Sequence, residues 1–263
     1  STISLSEAKT IIVNALEIDE PQAQLMTLAE EQSNRDVFVK FGKSKVSLNG
    51  KADMGENSQD IMQTIIVDKN GGNWNKYVLE DKLMYAGLGE MATLEYFDGE
   101  YVFTNYNGNI SVTEPSSSVV GILQNYSAQL LIFDKMFSDV AFETLYKNEV
   151  EKRNYDNGFS LTINIDTYEF WIFLMQQLTG DNYQEIINSI SETLLNKLKN
   201  EATTQLVVNF DNNEDMQNLT LSMTSFSQSD DTIIPTTQTI TAEEYTGEIT
   251  EPQWVTDYLA EQQ

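Results

Sequence analysis

An α+β fold is predicted, in which a curved antiparallel sheet of half-barrel form packs on a central helical section and an N-terminal amphipathic helix precedes it. Three observations lead there. Apolar residues alternate with period two through much of residues 36–113 and again over 203–250. Helical spacing fills most of residues 118–200 between those stretches. The first run of strands has no helices interleaved, which means antiparallel pairing rather than βαβ units. At 263 residues the chain can bury roughly 70–75% of its unfolded surface around one core. A single domain over 1–263 is expected, with Glu114-Pro115-Ser116-Ser117-Ser118 read as a loop rather than a linker.

Taken in order, Ser4 and Glu7 have capping-box spacing. Leu5, Ala8, Ile11, Ile12, Ala15 and Leu16 then set an amphipathic helix over 5–17, which Glu20-Pro21 ends. Val37, Val39 and Phe41 open the strand-rich part, and Val46 with Leu48 continues it on a second segment. Strands are expected at 60–67, 74–79 and 82–85, with a turn over 68–73. The strongest hairpin signal is 91–97, Asp98-Gly99, then 100–105, because both turn residues tolerate positive φ. Asn107-Gly108 repeats the device before Ile110-Ser111-Val112.

Helices are expected from Val119 to Phe133 and over 137–149, followed by a strand at 158–165. Asp166 caps a helix over 168–178 that Gly180 ends, and Asp181 opens one long helix carrying Ile186, Ile190, Leu194 and Leu198. The returning strands fall at 205–210, 219–224, 233–240 and 244–249. A short amphipathic tail spans 254–259.

Charge and missing residue types narrow the chemistry. With 15 Lys and Arg against 41 Asp and Glu, the net charge is −26. Such a polyanion has no basic stripe to release counterions from nucleic acid, and no nucleic-acid partner is expected. The same field opposes adsorption to anionic lipid headgroups. There is no Cys and no His. That removes disulfides, thiolate nucleophiles, Cys-ligated metals and a Ser-His-Asp triad. Carboxylate pairs remain, as in glycosidases, but nothing in the sequence places two of them in a cleft. No enzymatic activity, cofactor or metal is expected.

Two motif fragments fail on spacing. Asp211 to Asp215 starts like a calcium loop, but the glycine and glutamate positions hold Met216 and Ser222. Gly42-Lys43-Ser44 lacks the earlier glycine of a phosphate loop, since Val37 stands there. The most unusual segment is Phe170-Trp171-Ile172-Phe173-Leu174-Met175, a helical stretch with no polar face. It reads either as a central core helix gripped by the sheet or as one wall of an apolar cavity. In the second case Phe170, Trp171, Phe173 and Leu174 line that cavity, with Tyr126, Leu130, Phe133 and Phe137 opposite.

The layout of N-terminal helix, hairpin-rich sheet, helical insert and returning sheet resembles the half-barrel lipoprotein carriers. The group is that of LolA and LppX-like proteins, including Gram-positive lipoproteins of unknown function. The local pattern most similar to the latter is the tail, Thr239-Ile240-Thr241, Tyr245, Ile249-Thr250-Glu251-Pro252 and Trp254-Val255. The resemblance implies an extracytoplasmic, non-enzymatic domain whose concave sheet holds a lipid or other hydrophobic or amphipathic ligand, or a degenerate relative of the carriers that binds none. The start Ser1-Thr2-Ile3-Ser4, without an initiator Met, reads either as a cytosolic protein lacking its Met or as a mature domain whose signal peptide has been removed, with a lipidated cysteine just before Ser1 as the sole membrane attachment. Such a domain is anchored to the outer face of the cytoplasmic membrane or secreted, and is a monomer. The alternative is a cell-surface module that binds protein or glycan through exposed strands and aromatic loops such as Tyr101 to Tyr106.

Overall fold

The computed structural model describes residues 21, 43–70, 73–86, 89–114, 145, 150–229 and 232–262. The expected N-terminal helix, the strand at 37–41 and nearly all of the helical stretch over 119–149 lie outside them. Eleven strands form one antiparallel, curved and unclosed sheet in the order β6-β5-β4-β3-β2-β1-β11-β10-β9-β8-β7. They are β1 (Lys43–Ala52), β2 (Gln59–Asn70), β3 (Asn73–Tyr85), β4 (Gly89–Phe97), β5 (Val102–Tyr106) and β6 (Asn109–Thr113), then β7 (Val150–Tyr155), β8 (Gly158–Ile165), β9 (Thr203–Asp211), β10 (Met216–Ser229) and β11 (Thr232–Glu244). The two strand-rich parts of the chain meet where β1 pairs with β11, Leu48 opposite Ile240.

Alternation along these strands defines the two faces. On the inner face Val46, Leu48, Ile65, Val67, Leu79, Phe97, Leu206, Val208, Leu219, Leu221 and Ile240 are buried in one continuous core. Four α-helices are described in full: α1 (Thr167–Thr179), α2 (Tyr183–Ser189), α3 (Glu192–Asn200) and α4 (Gln253–Glu261). Phe170 and Phe173 carry α1 into the inner core, where Leu145, itself helical, is also buried. The Asp166 side chain accepts from the Glu169 N–H and starts α1, and Gly180, at φ 56°, ends it. The outer face has a smaller cluster, in which Val255 and Trp254 of α4 cover Tyr96, Phe103 and Val78.

Several expected elements change form. β3 runs unbroken where two strands were expected, because it pairs with β2 and β4 through Glu80, Asp81 and Lys82, with Glu80 and Lys82 on one face as an ion pair and Asp81 turned inward between Leu79 and Leu83. The Asp98 turn spans four residues, since Phe97 pairs with Val102. Of its two signal residues only Gly99 takes positive φ, while the Asp98 carboxylate accepts from the N–H groups of Glu100 and Tyr101. Asn107-Gly108 does form a two-residue hairpin with both φ positive.

β7 was not anticipated. Its Val-Glu-Lys-Arg-Asn-Tyr sequence has only Val150 buried, so no alternation marks it. The single helix expected after Asp181 is two helices, because Ile190 is extended and Ser191 caps a new start by accepting from the Leu194 N–H. β11 takes in Pro235 without loss. The proline lies just past the last β1 pair, Ala52 with Thr236, where no ladder donor is needed on that side. Residues 245–249, expected as a strand, are not one.

Candidate functional site

Where α1 crosses the inner face, the packing is incomplete at one end of the sheet. A niche of about 190 Å³ opens between Thr167, Phe170, Trp171 and Leu174 of α1 and Met223, Ser225, Thr236 and Gln238 of β10 and β11. Sequence explains both walls. Phe170 and Phe173 point into the core and are fully buried, which leaves Trp171 and Leu174 on the flanks, half-buried. A hydrogen bond from the Thr204 hydroxyl to Thr167, 3.0 Å long, fixes the first turn of α1 to β9. On its other side, Lys199 of α3 stacks over the Tyr168 ring at 4.5 Å.

The strand registers extend the niche. Met223 pairs with Gln238, Gln238 with Gly50, Gly50 with Ile61, Ile61 with Leu83, and Leu83 with Met91. All six sit on the inner face in a single row across six strands. At the usual strand spacing this row is about 24 Å long. Ile61, Leu83 and Met223 are half-buried and Met91 is 39% exposed, whereas the rows toward the other end of the sheet are closed by the core. Gly50 lowers the floor of this trough, since a Cβ there would stand 3.5 Å from Gln238 Cγ, an ordinary contact.

A polar corner borders the trough. Asp81 lies opposite both Gln63 and Thr93, and Glu95 lies opposite Leu79 and Thr104, all on the inner face. Glu95 is only 5% exposed. Burial raises its carboxyl from 4.5 to about 7, and the charge of Asp81 adds to the rise. Hydrogen bonds from Tyr77 and Thr104 act the other way, the Tyr77 hydroxyl donating at 3.4 Å. Gln63 Oε1 is buried without a hydrogen-bond partner among the described residues. Asp81 and Glu95 are diagonal neighbours, the kind of paired carboxyls a hydrolase would need, yet the burial of Glu95 denies a substrate contact with it.

A wider hollow, about 570 Å³, lies on the outer face. Two outer rows, Asn164-Gln205-Ser222-Thr239 and Thr203-Thr224-Thr237, flank the backbone of Thr204, Met223 and Gln238 there. Its walls are hydroxyls and amides, and the sheet separates it from the niche.

Of the eight cavity residues expected from sequence, Phe173 is core, Phe170 is core and also lines the niche, Trp171 and Leu174 are half-buried niche walls, and Tyr126, Leu130, Phe133 and Phe137 lie outside the described residues. The floor of the trough was not anticipated. Asp211 to Asp215 is a tight turn, with Glu214 at positive φ and the Asp211 carboxylate accepting from the Asn213 and Asp215 N–H groups. Among the described residues no helix is long and apolar enough to cross a membrane.

No family model matches the chain, and no curated protein matches it. Among solved structures it is similar to LprF from Mycobacterium bovis, with 12% identity over 89% of this chain and 96% of that one, at a TM-score of 0.42. It is also similar to an outer membrane lipoprotein-sorting protein domain from Vibrio parahaemolyticus, with 11% identity over 89% and 97% and a TM-score of 0.24. A DUF1329 family protein from Desulfovibrio piger gives 8% identity over 91% and 99%, again at 0.24.

Proposed function

We propose that the chain is an extracytoplasmic, non-enzymatic domain of the lipoprotein-carrier type that holds a hydrophobic or amphipathic molecule along the inner face of its sheet. The observation that carries this reading is the half-covered row Met223, Gln238, Gly50, Ile61, Leu83 and Met91, which leads out of the niche beneath Trp171 and Leu174. A well-packed core does not leave apolar side chains such as Met223, Ile61, Leu83 and Met91 half open to water, because each half-exposed Ile, Leu or Met forgoes about 1 kcal/mol of burial. An alkyl chain laid along the row recovers that term.

Size restricts the ligand. At about 190 Å³ the niche is smaller than a drug-sized site, so it takes the end of a chain while the remainder lies in the open trough. The polar corner at Asp81 and Gln63, one inner-face row away, suits the polar end of an amphiphile.

Native mass spectrometry of protein purified from its own host tests it directly, together with binding of a dansylated fatty acid by the delipidated chain. The expected result is an added mass released only on denaturation, and probe binding that Gly50→Leu weakens by about tenfold, since the leucine fills the trough at ordinary contact distances. A clean mass with no probe uptake overturns the proposal, as does full probe binding by the leucine variant.

A further inference from the structure

The two edges of the sheet are built differently. β7, at one edge, carries Glu151, Lys152 and Arg153, with Lys152 over the Phe159 ring and Arg153 over the Tyr155 ring. Charged side chains of this kind guard an edge against pairing with another chain. β6, at the other edge, reads Asn-Ile-Ser-Val-Thr: no charge, no proline, and a continuous register with β5. Its residues are exposed except Ile110, which is half-buried, and Val112 is 37% exposed.

The register states which backbone groups are open. Asn107-Gly108 is a two-residue turn, so the flanking pair Tyr106 and Asn109 exchanges both hydrogen bonds. Ser111 and Thr113 follow in phase and bond to β5. The N–H and C=O groups of Ile110 and Val112 therefore point away from the sheet, and no other described strand pairs with them.

The surroundings are acidic. Asp98, Glu100 and Glu114 all act on the Tyr101 hydroxyl, raising its pKa, and the Tyr101 ring is 36% exposed. Val112 stands opposite Phe103, at the margin of the outer cluster of Tyr96, Phe103 and Val255.

We propose that β6 is a strand-addition site for an extended, basic polypeptide segment of a partner protein. The open amide groups of Ile110 and Val112 hydrogen-bond its backbone, an apolar side chain continues the cluster past Val112, and Lys or Arg side chains meet Glu100, Glu114 and the Tyr101 ring. A second copy of this chain is the disfavoured occupant. Each copy brings a net charge of −26 and its own Glu100 and Glu114 to the joint. The site is independent of the trough, because it lies on the edge and outer face of the sheet.

The test is fluorescence anisotropy of the full chain with a labelled alternating Lys/Val hexapeptide, beside a Glu/Val peptide and a Lys/Val peptide N-methylated at alternate residues. Val112→Pro removes an outward N–H at an edge position, where proline is tolerated, and its melting temperature reports that the fold is kept. The Lys/Val peptide is expected to bind, the other two to bind at least about tenfold more weakly, and the proline variant to lose about tenfold. Glu100→Gln/Glu114→Gln is expected to weaken binding and flatten its salt dependence. Three outcomes overturn the proposal: no binding, equal binding of the N-methylated peptide or by the proline variant, and peptide-free dimers that the proline variant abolishes.

Discussion

Glu95 shows how far a single side chain can be pushed by where the sheet places it. On β4 it alternates in phase with Phe97, so the strand turns its carboxyl inward among Leu79, Tyr77 and Thr104. Water is withheld from the charged form, and the carboxyl rises to about 7. The sign of the consequence follows from linkage. The unfolded chain releases this proton near 4.5 and the folded chain near 7, so between those values the folded state binds more protons and stability falls as pH rises. Below the lower value and above the upper one the contribution is flat. The shift corresponds to about 3 kcal/mol as an upper figure, since one unit is about 1.4 kcal/mol. Glu95→Gln keeps the size and the hydrogen bonds while fixing the neutral state. Urea unfolding at pH 4.5 and pH 7.5 should show the variant gaining on the parent chain by about 2–3 kcal/mol across that window. Parallel profiles for the two proteins would show that the carboxyl does not titrate in this range.

Elements were legible where one residue both stops and starts the chain, and illegible where the deciding contact is remote. Asp166 and Gly180 bracket α1 in sequence as they do in space, and Asn107-Gly108 fixes the β5–β6 turn. The break between α2 and α3 was hidden because Ile186, Ile190, Leu194 and Leu198 keep helical spacing across it. What ends α2 is the side chain of Ser191, which accepts from Leu194 N–H and also donates to Gln228 on β10, thirty-seven residues away. A cap anchored to a strand outweighs periodicity, since the second bond is invisible without the fold. Ser191→Ala removes both bonds, and thermal unfolding should report a loss of about 1–2 kcal/mol. An unchanged melting temperature would mean that the stripe alone holds α3 against β10. β3 reads as two strands, 74–79 and 82–85, for a related reason: Glu80-Asp81 interrupts the apolar pattern, but pairing on both sides keeps the strand extended.

At the scale of the whole molecule, the class and the joining of the two strand-rich parts could be read from the run of strands. The trough could not. Its floor takes one residue from each of six strands between Gly50 and Gln238, and only the registers place them in a row. The all-apolar hexad at Phe170 pointed to the right helix, yet it could not divide core residues from walls, because that division depends on which side meets the sheet. Charge, by contrast, is a property of the whole chain that composition states fully. With 41 carboxylates against 15 cations, most acidic side chains have no cation to pair with, and their repulsion favours the expanded chain. Local pairs such as Lys45 with Glu243 and Lys197 with Glu201 lie at the surface and offset little of this. Salt shortens the reach of the repulsion from about 30 Å at 0.01 M to about 3 Å at 1 M, while leaving the core burial intact. Raising sodium chloride from 10 mM to 500 mM should therefore stabilise the protein, with the melting temperature rising by several degrees, about 2–4 °C for each kcal/mol gained in a chain of this size. Most of the gain should arrive below 200 mM, where the screening length changes fastest. A melting temperature that falls over this range would mean that the surface pairs, rather than the excess of carboxylates, dominate the electrostatics of the fold.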